Sequence, residues 1–213
     1  MSWKLIATKG CGSVLAEAAF TLAGIPYERE EIAYDVEGPD RDRLLALNPL
    51  GQVPTLVAPD GGVLTESAAI VLHLDELAPS ARLLPAVETR ERRDALRWLV
   101  YFVAAIYPTF TFGDQPEKFV GDAGPQLRDS SNARREASWR QVEAFATSTG
   151  GPWFLGSSRS MLDVYISVMS HWRPRRAWFK ANCPTLYAIA TAIDVDPVLA
   201  PVLAREMDEY PAA

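Results

Sequence analysis

The chain has 213 residues, enough for one large domain or two small ones, and its 48% apolar and 23% charged residues are the composition of a soluble globular protein. A net charge of −6 and a pI of about 5.0 argue against general affinity for nucleic acid or anionic membrane. No apolar run in the sequence reads as the roughly 20 residues of a membrane span, Met1-Ser2-Trp3-Lys4 lacks a signal-peptide layout, and the two cysteines, Cys11 and Cys183, form no disulfide framework, so a reducing cytoplasm is expected.

Lys4-Leu5-Ile6-Ala7 reads as a short buried strand, broken by Gly10-Cys11-Gly12. A helix is expected from Ser13 to Ala23, because Val14, Leu15, Ala18, Ala19 and Leu22 recur on one face, and Gly24 with Pro26 beyond it supplies the stop. Tyr27 to Ile32 has the mixed pattern of a partly exposed strand; strand, helix and strand of this size close a right-handed parallel βαβ unit. A short helix is expected over Arg41 to Leu47, then strands at Thr55–Ala58 and Val63–Thr65 around the turn Pro59-Asp60-Gly61-Gly62. Ser67 to Leu77 carries Ile70, Val71, Leu74 and Leu77 on one side and closes at Pro79.

The order βαβ, helix, ββα is that of a thioredoxin-like domain. Beyond Pro85 the sequence contains no convincing strand, and helices are expected over Glu88–Ile106, Asp129–Thr147, Ser160–Trp172 and Pro184–Val195. The expected fold class is therefore an α/β thioredoxin-like domain over residues 1–78, a proline-bearing linker over 79–87, and an all-α helical-bundle domain over 88–213.

The most informative stretch is Leu50-Gly51-Gln52-Val53-Pro54-Thr55, which enters a strand through a proline, with Thr65-Glu66-Ser67-Ala68-Ala69-Ile70 opening the next helix. A sheet edge beside a helix N-terminus can grip an extended, charged peptide. The residues taken alone favour a trans Pro54 that starts an edge strand; for Glu66-Ser67 the plain alternative is N-capping with a favourable acid in the first turn, which a ligand carboxylate would supplement rather than replace.

The chain resembles the cytosolic glutathione S-transferase family, of the bacterial, serine- or cysteine-type rather than the tyrosine-type, over essentially its whole length. Gln52-Val53-Pro54 looks like the family's strand-entry motif, Glu66-Ser67 its acid-and-serine pair, and Asn48-Pro49-Leu50-Gly51 and Ala68-Ala69-Ile70 match around them. Ser160-Met161-Leu162-Asp163 resembles the capping box on the family's buried helix. The resemblance implies a cis bond before Pro54 and glutathione as co-substrate. It implies Val53, Pro54, Glu66 and Ser67 as binding residues, with Gln52 toward the glycyl end. A carboxylate suits the helix start at Ser67, an ammonium suits Glu66, and the γ-glutamyl end of glutathione presents both.

The thiol is expected at Thr8-Lys9-Gly10-Cys11-Gly12-Ser13, where a hydroxyl at a helix start can donate to a thiolate. Two candidates stand there. Ser13 suits conjugation and is the preferred donor, with N-capping as the plain alternative; Cys11 suits thiol transfer, with a small buried apolar role as the alternative. In the aromatic stretch Trp98 to Phe112, Tyr107 and Phe110 lie toward the helix end and could line the electrophile pocket that the resemblance implies. Cys183 and His73 read as packing, and His171, with Arg173, Arg175 and Arg176 beyond it, as a solvated basic helix end. No metal site is expected.

The expected function is transfer of the glutathione thiolate to small apolar electrophiles by a homodimer without nucleic-acid or membrane partners. The alternatives are a glutathione-dependent thiol-disulfide oxidoreductase or peroxidase using Cys11, and a non-catalytic binding protein with this fold.

Overall fold

The structure, a computed structural model, describes residues 2–207 and divides into two compact units. Among the described residues, one contains 2–83 together with 194–207; the other runs from Leu84 to Ile193. The final helix thus packs with the first unit, whereas the sequence reading places it in the helical domain.

The first unit is thioredoxin-like. Its strands β1 (Trp3–Ala7), β2 (Tyr27–Glu31), β3 (Thr55–Val57) and β4 (Val63–Thr65) form a four-stranded sheet in the order β2-β1-β3-β4. β1 and β2 are parallel, and β3 is antiparallel to both of its neighbours. Alternation along β1 assigns the two faces. Trp3 sits 5.9 Å from Phe20 of helix α1 (Ser13–Ala23) and 5.7 Å from His73 of helix α3 (Ser67–Leu77), so His73 is a packing residue as expected. Ile6 faces the opposite way and is buried with Ile32 and with Leu44 of helix α2 (Pro39–Leu47).

α1 and α3 have the bounds the sequence implies. Gly24 ends α1 in the left-handed region at φ 65°, and its N–H and that of Ile25 return to Thr21 and Phe20, the Schellman closure that a residue without Cβ permits. Helix α11 (Ala200–Met207) packs against α1.

The second unit is helical: α4 (Arg90–Tyr101), α5 (Tyr107–Asp114), α6 (Glu117–Val120), α7 (Gly124–Thr149), α8 (Met161–His171), α9 (Arg176–Asn182) and most of α10 (Pro184–Asp194). Trp98, Phe102, Trp139, Phe154, Tyr165 and Phe179 are buried and meet one another ring to ring at 5.0–6.0 Å. The sequence reading ends the first long helix at Ile106, before Pro108. The chain instead continues as helix, because residues Phe102–Ile106 widen into a π turn in which the Tyr107 N–H returns to Phe102. A wider turn absorbs the donor that proline lacks. By length and composition the resulting Arg90–Asp114 helix could cross a membrane; Trp98, Leu99, Phe102, Ile106 and Phe110 on it are buried in protein, while Leu96, Val100 and Phe112 are exposed.

The capping box on α8 is present in full. Ser160 Oγ accepts the Leu162 N–H, and the fully buried Asp163 accepts the N–H groups of Ser160 and Phe154, each at 2.7 Å. The end of α8 departs from the sequence reading. Arg176 folds back on it, donating to Ser167 O at 3.2 Å and lying 2.6 Å from His171 Nε2, so the basic residues there are not a purely solvated end.

Candidate functional site

Strand register gathers the candidate residues. Thr55 pairs with Ile6 on one side and with Thr65 on the other, so the end of β1, the start of β3 and the end of β4 lie side by side. The residues just beyond these positions are the β1–α1 turn, Val53-Pro54, and Glu66-Ser67. All belong to the first unit and share one end of its sheet. From β1 to β4 is two strand spacings, roughly 10 Å. An extended tripeptide spans roughly the same distance.

The middle of this edge is built by Asn48. Its buried amide donates to Gln52 O at 3.0 Å and Thr55 Oγ1 at 3.1 Å, while its Oδ1 accepts the Leu50 N–H at 3.1 Å. Gly51 turns the chain at φ 60°, where a Cβ would stand 3.0 Å from Leu45. The Val53–Pro54 bond is cis, Pro54 is buried, and Gln52 extends an exposed side chain. Among the described residues, the N–H and C=O of Val53 take part in no hydrogen bond. A main chain left unpaired at a sheet end is open to an added strand.

Beside it, Glu66 precedes α3 at φ 66°, ψ 114°, an uncommon backbone for a residue with a Cβ, of the kind that collects at ligand sites. Its side chain is exposed and reaches no further than Thr65 Oγ1 at 3.5 Å. No side chain caps α3, and Ser67 is its first residue, 8% exposed. The capping alternative for the Glu66-Ser67 pair is therefore not what the helix adopts, and its N-terminal N–H groups keep their attraction for an anion.

The third point is the β1–α1 turn, which carries Ser13 and Cys11. Ser13 is fully buried; its Oγ donates to Thr8 O at 3.0 Å and accepts the Thr8 N–H at 3.2 Å. Thr8 Oγ1 is likewise committed, donating to Ile32 O at 2.6 Å. Both hydroxyls serve the turn from inside. The N-cap of α1 is Gly12, one residue earlier than a serine cap would be, and this register rotates Ser13 inward. Cys11, between Gly10 and Gly12, is half-buried, as are Thr8 and Lys9 before it. No side chain caps α1 and no acid stands in its first turn. Cys183 contrasts with Cys11: it is fully buried, and burial, with Glu143 nearby, pushes its thiol up to about 12.

The electrophile-pocket candidates lie in the second unit and are brought together there. Tyr107 is half-buried, 6.1 Å from Phe110 and 5.5 Å from Trp172. Phe110 is 6% exposed and lies under the Arg135 guanidinium at 4.1 Å, so it is mainly core. Trp172, which the sequence reading does not single out, joins the pair because α8 ends beside α5. No group of His, Cys, Asp and Glu able to hold a metal ion occurs among the described residues.

Residues 16–77 match the sequence model of the glutathione S-transferase N-terminal domain. The chain is 37% identical to the uncharacterized GST-like protein YncG of Escherichia coli K12, over 95% of this chain and 97% of that one. It is 29% identical to glutathione S-transferase GstA of Escherichia coli O157:H7, over 62% of each. The crystal structure of a glutathione transferase from Methylococcus capsulatus superposes with a TM-score of 0.80 at 26% identity, covering 96% of this chain and 98% of the other. With this identity over nearly the whole length, and with the sheet, the Val53-Pro54 turn and the α8 capping box in place, the chain belongs to the glutathione S-transferase family.

Proposed function

We propose that this protein is a glutathione transferase that lays glutathione along the start of β3 and delivers its thiolate from the β1–α1 turn to a small apolar electrophile. The observation that carries this reading is the unpaired main chain of Val53, flanked by two helix N-termini that no side chain caps. The γ-glutamyl carboxylate binds at Ser67 and the first N–H groups of α3, its ammonium at Glu66, and the cysteinyl main chain at Val53. Gln52 meets the glycyl end. The sulfur then falls at the N-terminus of α1, whose dipole favours the thiolate over the thiol. The thiolate attacks the electrophilic carbon and the leaving group departs with its electron pair.

Cys11 is the side chain that meets the sulfur in this reading. Cys11→Ala should slow conjugation roughly tenfold, the effect of one hydrogen bond to a charged atom. Ser13→Ala should act on the fold first, costing about 1–3 kcal/mol by leaving the Thr8 N–H without its acceptor, while Thr8 O keeps the Cys11 N–H. Steady-state rates and urea unfolding of both variants separate these effects. A Ser13→Ala protein of normal stability that has lost conjugation would return the serine to the catalytic role.

The half-buried Cys11 also favours a second reading, thiol–disulfide exchange. There the Cys11 thiolate attacks a glutathione mixed disulfide, a Cys11–glutathione disulfide forms, and the substrate thiol leaves. Retention on immobilised glutathione, with turnover of a chloronitroaromatic and of a mixed disulfide, tests both readings. Retention without either turnover would leave a binding protein. A cytoplasmic homodimer completes the proposal, and sedimentation of only a 23.4 kDa species at micromolar concentration would contradict the dimer.

A further inference from the structure

The last described helix is tied to the β1–α1 turn by a buried ion cluster. Glu17 of α1 is fully buried; Arg29 Nε of β2 donates to its Oε1 at 2.8 Å, while Tyr27 OH at 3.3 Å and Arg205 of α11 donate to its Oε2. Arg29 and Arg205 also donate to Glu206 Oε1, at 3.2 and 3.1 Å. The second oxygen of Glu206, a residue 2% exposed, accepts the Gly10 N–H at 3.0 Å. The adjoining Lys9 N–H donates to Glu31 Oε1 at 3.1 Å, and Glu31 pairs with Arg29 in turn. Successive N–H groups leading to Cys11 are thus held by carboxylates, one of them from 196 residues along the chain. Burying a carboxylate requires compensating partners. Glu206 uses one oxygen for the arginines and the other for the turn.

We propose that Glu206 is a positioning residue for the thiol site: it holds the Gly10 amide and so fixes the turn that presents Cys11. It touches no reacting atom. The proposal rests on the glutathione reading only for the chemistry that the turn serves.

The test compares the full-length parent with Glu206→Gln, whose amide oxygen can still accept the Gly10 N–H, and Glu206→Ala, which cannot. The readouts are Gly10 amide hydrogen exchange, kcat and KM for glutathione with a chloronitroaromatic, and the limiting rate of Cys11 alkylation by iodoacetamide at high pH. Glu206→Ala, which loses the Gly10 hydrogen bond together with those from Arg29 and Arg205, should speed Gly10 exchange and lower kcat roughly tenfold, with KM for glutathione within about twofold of the parent. The limiting alkylation rate should change by about fivefold, and Glu206→Gln, which keeps an acceptor for the Gly10 N–H but turns its NH2 toward Arg29 and Arg205, should fall between the parent and Glu206→Ala in every readout. Both variants lose the same charge, so a shift in the alkylation pH midpoint shared by both reports charge, not the turn.

An unchanged Glu206→Ala overturns the proposal, as does a Glu206→Gln equally impaired. A fall in kcat accompanied by an equal rise in KM and a lower Tm means general packing and also overturns it. Should Glu206→Ala fail to fold, Glu206→Asp, one methylene shorter with its charge kept, carries the same expectation. If the parent neither binds nor turns over glutathione, the functional reading fails separately, and Gly10 exchange with Cys11 alkylation still decides the positioning claim.

Discussion

Asp163→Ala should cost the helical unit about 3–5 kcal/mol, enough to remove much of the stability of an ordinary domain. The carboxylate is fully buried and accepts the Phe154 and Ser160 N–H groups and, at 3.2 Å, the Ser160 hydroxyl. Alanine leaves both N–H groups buried without an acceptor, each costing about 1–3 kcal/mol, and dismantles the cap on α8. Urea unfolding at neutral pH checks this, and a loss below about 1 kcal/mol would contradict it.

A pH signature accompanies the loss. Burial pushes the Asp163 carboxyl up to about 6 from an ordinary value of 3.8, against the lowering effect of its hydrogen bonds. Between these values the folded chain keeps a proton that the unfolded chain has released. The resulting stabilisation is full below about pH 4 and is lost as pH rises through about 6, an amount of about 3 kcal/mol. Asp163→Asn does not titrate there, so the stability advantage of the parent over it should shrink from pH 4 to pH 7. A constant difference across that range would contradict the assignment.

Ser67→Ala should weaken glutathione binding by about 1.5–3 kcal/mol, roughly 10- to 150-fold in Kd, while leaving the fold within about 1 kcal/mol of the parent. Ser67 opens a helix that no side chain caps, beside a Glu66 held in a strained backbone. Its hydroxyl is proposed to meet a carboxylate, and charge-assisted hydrogen bonds are the stronger class. Calorimetric titration with glutathione gives the comparison. Unchanged affinity would remove the carboxylate from this helix start.

What could be read from the sequence was whatever local signals fix. Gly24 and the apolar face of α1 set that helix, and the Thr65-Glu66-Ser67 junction sets the start of α3. The strand-entry motif anticipated the cis bond at Pro54, and the Ser160–Asp163 spacing anticipated the capping box. The long-range effects were hidden. A Pro108 that usually ends a helix is carried through by a π turn five residues long. α11 was missed because Arg205 and Glu206 resemble an exposed polar face, yet Glu206 is buried against partners on β2 and the β1–α1 turn. Ser13 stands at the helix start that the sequence implies, while its burial and its bonds to Thr8 depend on a cap at Gly12 that no local signal marks.

The most direct measurement of the central claim is a crystal structure of the glutathione complex. The account predicts the γ-glutamyl carboxylate within roughly 3 Å of Ser67, the cysteinyl main chain paired with Val53 across the edge of β3, and the sulfur at the N-terminus of α1. Glutathione bound elsewhere, or with its γ-glutamyl end away from Glu66 and Ser67, would contradict it.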